Sequence, residues 1–230
     1  MRHFGTIQML KWPLKIRTGT NEEKRLSTYT DLTTIECIGT KLYPYIIKYY
    51  GSIIDTIVSA LNFLKYHRIL HRDVKPQNIL VNRQCQFKLC DFGICGNFTN
   101  SKSVTSSIKG TDVYLPPERM KYNAEPYGIR SDIWALGITI VEIVNGKQPF
   151  LGLSYIELAD LIQTWTPNID DKLISFALKE LILYLLKTDY KQRPKSYGEI
   201  LEIPVLQSVH IIPSNDEMNY IKKIIDNIGS

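Results

Sequence analysis

His71-Arg72-Asp73-Val74-Lys75-Pro76-Gln77-Asn78 is the stretch that decides the fold, and Asp91-Phe92-Gly93 follows it after a short gap. Tyr114-Leu115-Pro116-Pro117-Glu118 and then Asp132-Ile133-Trp134-Ala135-Leu136-Gly137 complete an ordered set. Asp-Phe-Gly alone would be weak, but at roughly one chance in twenty per fixed position the whole set is far beyond coincidence. Upstream, Ile54, Ile57, Val58, Leu61 and Leu64 recur at helical spacing as far as His67. Gln86 to Cys90 alternates as a short strand should. Ser131 to Val144 is apolar nearly all round, which predicts a buried helix with Ser131 as N-cap and Asn145-Gly146 as its stop. Leu173 to Leu186 is amphipathic. In the tail, Ser214-Asn215-Asp216-Glu217 has a capping-box spelling, followed by Ile221, Ile224, Ile225 and Ile228 on one face.

The rest of the chain bounds the class. It has 230 residues, 44% hydrophobic and 22% charged, which suits one large domain or two small lobes and excludes a mainly disordered chain. No stretch reaches the ~18 apolar residues of a membrane helix, and no signal peptide is legible after Met1. An intracellular location, in cytoplasm or nucleus, is the expectation. The net charge of +5 comes from scattered Lys and Arg, with one modest cluster at Lys11, Lys15 and Arg17, so nucleic acid is not an expected partner. Cys37, Cys85, Cys90 and Cys95 form no C-x-x-C pair and read as half-buried thiols in a reducing compartment. Tyr127-Gly128 reads as a turn. Gln8 to Ile16 reads as a strand interrupted by Pro13, Thr20 to Leu26 as a helix start, and Tyr45 to Gly51 as β-rich with a turn residue at its end.

The ordered motifs resemble those of eukaryotic protein kinases. His71–Asn78, Lys88-Leu89-Cys90-Asp91-Phe92-Gly93-Ile94-Cys95-Gly96 and the Ser/Thr-rich loop before Tyr114–Arg119 resemble the dual-specificity MAP kinase kinases in particular. The likeness is strong from about Ser52 to His210 and faint before Ser52. It implies an α+β, bilobal protein-kinase-like fold, with a largely helical C-terminal lobe and a reduced, β-containing N-terminal lobe. The expected division is a partial N-lobe at 1–51, a C-lobe at 52–210 and a helical tail at 211–230.

The chemistry agrees with the resemblance. Phosphoryl transfer needs charge neutralised on the phosphates and a hydroxyl held in line. Asp73 can accept the substrate hydroxyl's proton, and Lys75 can neutralise the moving phosphate. Asn78 and Asp91 offer hard oxygen ligands of the kind Mg²⁺ prefers. The resemblance implies ATP and Mg²⁺ as cofactors, with Lys75, Asn78 and Asp91 around the nucleotide. It assigns His71, Phe92 and Gly93 to packing and loop geometry. Arg72 falls to a phosphate on the activation loop, and Glu118 with Arg193 to a buried ion pair. Asp132 anchors the catalytic loop from the start of the buried helix. Lys75 with Thr111 resembles the serine/threonine-type site, and the subfamily resemblance extends the expectation to Thr and Tyr on a target MAP kinase, downstream of an activating kinase.

The activation loop is Asp91 to Glu118. Counting back from Gly110-Thr111 places the subfamily's two phosphorylated hydroxyls on Ser103 and Ser107, and counting forward from Asp91 gives Ser101 and Thr105. The backward count is preferred, because the segment beside the substrate site is geometrically tighter. Upstream, no G-x-G-x-x-G precedes Lys15. Trp12-Pro13-Leu14-Lys15 matches the setting of the family's ATP-contacting lysine, with Glu22, Glu23 or Asp31 as its acidic partner and Asp31 at the nearest spacing. Gly51 runs directly into the long helix, where the family has further strands and an adenine-holding hinge. Two explanations stay open: an active kinase whose sequence has been clipped in its reading, or a chain that binds ATP poorly and acts as a pseudokinase or scaffold.

Overall fold

The computed structural model describes residues 32–34, 49–91, 96–97, 112–121, 124–207 and 215–228. Helix α1, Tyr49–Tyr66, carries Ile53, Ile54, Ile57, Val58 and Leu61 on one face, all at most 1% exposed. This is the amphipathic stripe that its spacing predicts. It begins at Tyr49, so the β-rich reading of Tyr45 to Gly51 fails for its last three residues, and the division drawn between 51 and 52 runs through the first turn of α1. Tyr50 is buried in the core. Burial of that ring on the same face as Ile53 and Ile54 overrides the β propensity of the local sequence.

Strand β2, Ile69–Leu70, pairs antiparallel with β5, Gly96–Asn97. Strands β3, Ile79–Asn82, and β4, Phe87–Leu89, form an antiparallel hairpin in which Ile79 faces Leu89 and Val81 faces Phe87. Asn82 closes its turn: its side-chain oxygen accepts from the backbone N–H groups of Gln84 at 3.0 Å and Gln86 at 2.9 Å. The other edge of β3 is taken by β1, Leu32–Thr34, with Leu32 opposite Asn82 and Thr34 opposite Leu80. The one described strand ahead of α1 is thus part of the sheet that carries the β3–β4 hairpin. Asp31 lies just outside the described residues, but the chain directly after it is extended.

Helix α2, Ile129–Asn145, is buried nearly all round, as its composition predicts. Its N-cap is Gly128 rather than Ser131; Ser131 sits one turn in, and its hydroxyl accepts the Gly128 N–H at 3.4 Å. The helix stops at Gly146, which adopts the left-handed conformation with φ 67°. Three helices follow: α3, Tyr155–Leu161; α4, Phe176–Leu185, capped by the Ser175 hydroxyl; and α5, Tyr197–Leu201. Helix α6 is Pro204–Gln207, and α7 is Asn215–Ile228. Ile221 and Ile225 of α7 belong to the same core as α1 and α2, and Asp226 accepts from Arg83 of the β3–β4 turn at 2.8 Å. The tail segment therefore packs onto the body of the domain. Among the described residues, no helix is long and apolar enough to cross a membrane.

Gly137 of α2 packs tightly against the end of α4 and Leu186 just beyond it. A Cβ there would stand 2.7 Å from both Cγ and Cδ2 of Leu186, which is itself 5% exposed. For Gly137→Ala the helix-propensity gain of about 1 kcal/mol partly offsets the clash. Gly137→Val gains less propensity and adds two further methyl groups to the same contact, so it should destabilise the domain by about 2–3 kcal/mol, read as a lower denaturant midpoint at unchanged slope. An unchanged midpoint would show that the contact relaxes freely.

Candidate active site

The chain leaves β2 at Leu70 and turns through His71, Arg72 and Asp73 into a 3₁₀ turn, Pro76–Asn78, before entering β3. Pro76 at the first position of that turn fixes its φ and lacks an N–H that the turn would leave unpaired. The turn delivers Asn78, 5% exposed, against Asp73. The Asn78 side-chain amide donates to the Asp73 backbone carbonyl at 2.7 Å and to Asp73 Oδ2 at 2.9 Å. Lys75 Nζ lies 2.9 Å from the same Oδ2. One carboxylate oxygen is thereby pinned by two donors, while Oδ1 is buried without a hydrogen-bond partner. Asp91 is brought to the same end of the hairpin by the backbone: the N–H of Cys90 donates to the Asn78 carbonyl at 2.8 Å. Asp91 is exposed and takes φ 61°. Its charge and that of Asp73 both act on His71.

His71 is fully buried and neutral by geometry. Its Nδ1 accepts the Asp73 N–H at 3.3 Å, while Nε2–H donates to the Cys90 carbonyl at 3.2 Å. Burial pushes its pKa below the ordinary histidine value, against the raising influence of Asp132 and the Cys90 carbonyl. His71 is therefore a brace between the loop at residues 71–75 and the end of β4. Cys90 is no nucleophile: burial, aided by the Asp91 charge, pushes its thiol up to about 11.

Asp132 organises the loop from the first turn of α2. It has no exposed surface. Oδ2 accepts the His71 backbone N–H at 3.0 Å and Oδ1 accepts that of Arg72 at 2.9 Å. Tyr127 donates its hydroxyl to Oδ1 at 2.8 Å, and Tyr197 of α5 donates to Oδ2 at 3.4 Å. Burial raises the Asp132 pKa, while the Tyr127 hydroxyl and the backbone N–H groups of Arg72 and His71 pull it back. Arg72 holds φ 68°, a left-handed conformation that costs a non-glycine residue about 1–2 kcal/mol, which its surroundings must impose. Its guanidinium lies 5.9 Å over the Tyr127 ring, with Nε and Nη2 buried and without hydrogen-bond partners.

Glu118 and Arg193 form a bidentate pair, with both N···O distances 2.8 Å and exposures of 6% and 1%. Arg193 also donates to the carbonyls of Lys187 at 2.7 Å, Arg130 at 3.0 Å and Thr188 at 3.2 Å. All five of its N–H donors are used, and its guanidinium stacks 4.7 Å over Trp134. A shallow cleft of about 380 Å³ opens beside Glu118, between Lys121, Asp189 and Tyr190; none of Asp73, Lys75, Asn78 or Asp91 lines it.

The structure thus brings His71, Arg72, Asp73, Lys75, Asn78 and Asp132 together, seats Asp91 at the same hairpin end, and pairs Glu118 with Arg193. Lys15, Glu22, Glu23, Phe92, Gly93, Ser101, Ser103, Thr105, Ser107 and Thr111 lie outside the described residues. Sequence reading missed Tyr127, which is no bystander in a turn, together with Tyr197 and Thr139. The Thr139 hydroxyl donates within α2 to Ala135 O at 2.7 Å and lies 3.2 Å from the Val74 carbonyl. The only local signal for Tyr127 was its place five residues ahead of Asp132 on the lead-in to the helix.

Comparison with known proteins matches residues 31–206 to the protein kinase domain family model. Among similar proteins, "MAP kinase kinase MKK1/SSP32" of Saccharomyces cerevisiae is 39% identical over 158 residues, covering 64% of this chain and 30% of that protein. "Dual specificity mitogen-activated protein kinase kinase sek-1" of Caenorhabditis elegans is 34% identical over 183 residues, covering 77% and 54%. "Dual specificity mitogen-activated protein kinase kinase 7" of Mus musculus is 36% identical over 169 residues, covering 70% and 31%. The matched stretch takes in little more than half of these relatives' length at most.

Proposed function

Since this chain belongs to the protein kinase domain family, we propose that it transfers the γ-phosphate of ATP to Ser or Thr, and also to Tyr, of a protein substrate, as a MAP kinase kinase. The observation that carries this reading is the Asp73 carboxylate, with Oδ2 held by Lys75 and Asn78 and Oδ1 buried without a partner. An oxygen so placed is ready to accept a substrate hydroxyl and its proton. Lys75 then neutralises charge on the transferring phosphoryl group. This pairing of acid, lysine and amide favours an enzyme over a non-catalytic module.

Asn78 and Asp91 fit a divalent cation. The Asn78 amide nitrogen is committed to Asp73, which leaves its side-chain oxygen as the metal donor, and Asp91 adds an exposed carboxylate at the same hairpin end. Bound Mg²⁺ would supply charge neutralisation on the nucleotide phosphates. The hydroxyls at Ser103 and Ser107, with Thr105 as the alternative, are the proposed regulatory sites, phosphorylated by an upstream kinase. The buried Nε and Nη2 of Arg72 suit a phosphate there. Cytoplasm or nucleus, where MAP kinases are met as substrates, is the proposed location.

The test is transfer of labelled phosphate from Mg-ATP to a MAP kinase by the expressed chain. EDTA should abolish transfer. Mg-ATP at about a hundred times its Kd should stabilise the fold by about 2.7 kcal/mol in a thermal-shift assay. Absence of both transfer and stabilisation would reject the reading.

A further inference from the structure

Asp132 is held by four donors, two on each oxygen. His71 and Arg72 give backbone N–H groups from the catalytic loop. Tyr197 comes from α5 with a long, weak bond. Tyr127 comes from the irregular segment ahead of α2, with a short hydroxyl bond to the very oxygen that holds Arg72. Its ring also lies beneath the Arg72 guanidinium. One side chain therefore touches both the strained residue preceding the proposed base and the carboxylate that fixes that residue's backbone.

We infer that Tyr127 is a positioning residue for the catalytic loop: its hydroxyl keeps Asp132 ionised, so that Asp132 goes on accepting the N–H groups of His71 and Arg72 and Asp73 stays in place. The reasoning is one of hydrogen-bond balance. A protonated Asp132 carries an O–H that must donate, so it cannot accept from four donors at once, and a backbone N–H of His71 or Arg72 is left unpaired. Arg72, already at positive φ, is then free to relax. The charged and titratable groups facing Asp132 are His71 and Arg72 from the loop, Tyr127 from the lead-in segment and Tyr197 from α5. Burial already raises the Asp132 pKa, and the Tyr127 hydroxyl opposes that rise. Removing the hydroxyl therefore moves protonation of Asp132 to higher pH. The link to Asp73 chemistry rests on the kinase reading, but the link to the loop backbone does not.

The experiment is amide hydrogen exchange of the full chain between pH 5.5 and 7.5, corrected for intrinsic rates, on wild type and Tyr127→Phe. For Tyr127→Phe, the amides of His71 and Arg72 should lose about tenfold protection as pH falls, at a higher pH than any such loss in wild type. The amides of α4 should be unchanged. If the variant is kinase-active, the acid limb of its kcat profile should move to higher pH with KM for ATP unaltered. Protection at 71 and 72 equal to wild type at every pH would overturn the inference. So would a uniform loss of protection through α4, which marks a merely structural role. Should the variant not fold, Tyr127→Leu, which also lacks the hydroxyl, takes its place, and the same outcomes at 71, 72 and α4 decide. Loss of the exchange effect sinks the role of Tyr127, whereas loss of turnover in wild type sinks the kinase reading instead.

Discussion

Asp73→Asn should lower phosphoryl transfer by about 10²- to 10⁴-fold, the usual contribution of a positioned general base. The substitution keeps the size of the side chain and removes its charge. Lys75 then loses an anionic partner at 2.9 Å, and the oxygen proposed to take the substrate proton becomes part of a neutral amide or is replaced by its NH₂. The fold should survive, because the loop backbone is held by Asp132 and His71 rather than by the Asp73 carboxylate. Stabilisation by Mg-ATP should persist, since Asn78 and Asp91 are untouched. A rate in the variant within about tenfold of wild type would exclude Asp73 as the base, and equal rates would exclude the chain as the source of the activity.

The second large effect is on stability. Arg193→Met should cost about 3–5 kcal/mol, because it leaves Glu118 as an uncompensated buried charge. Against a typical total of about 5–15 kcal/mol, that is enough to unfold a marginal domain at working temperature. The double variant Glu118→Leu with Arg193→Met should recover part of the loss. It should not reach wild type, because the carbonyls of Lys187, Arg130 and Thr188 still lose their donor, at about 1 kcal/mol each. The comparison separates the cost of the unpaired charge from the cost of the unpaired carbonyls. Denaturant unfolding measures both, and a loss below about 1 kcal/mol for the single variant would contradict the burial of the pair. The exposed pair Lys179–Asp171 offers a control, as surface pairs contribute about 0–1 kcal/mol.

Much of the site was legible because the kinase motifs are short and their spacing is fixed by one loop and one hairpin. Asp73, Lys75 and Asn78 lie within six consecutive residues, and the 3₁₀ turn at Pro76–Asn78 folds them together with little help from elsewhere. The helices α1 and α4 were legible from period, and α2 from its nearly continuous apolar run, with errors confined to their ends. Ser131 was placed as N-cap because its side chain suits the role, whereas the helix gains another turn beginning at Gly128. Tyr49 to Gly51 has residues that suit a strand, but a ring that can be buried beside Ile53 and Ile54 draws the segment into α1.

What the sequence determined by itself, then, was the family, the cluster of residues that meets around Asp73 and the helices with a clear apolar face, since each depends on residue type and near-neighbour spacing. Only the tertiary structure decided which donors meet Asp132, with His71 and Tyr197 lying 61 and 65 positions away in opposite directions, and that Leu32–Thr34 pairs with the strand following Asn78. Such contacts are set by where helices and strands come to rest on a shared core. A buried carboxylate accepts whatever donors that packing brings within reach, and no local pattern records them.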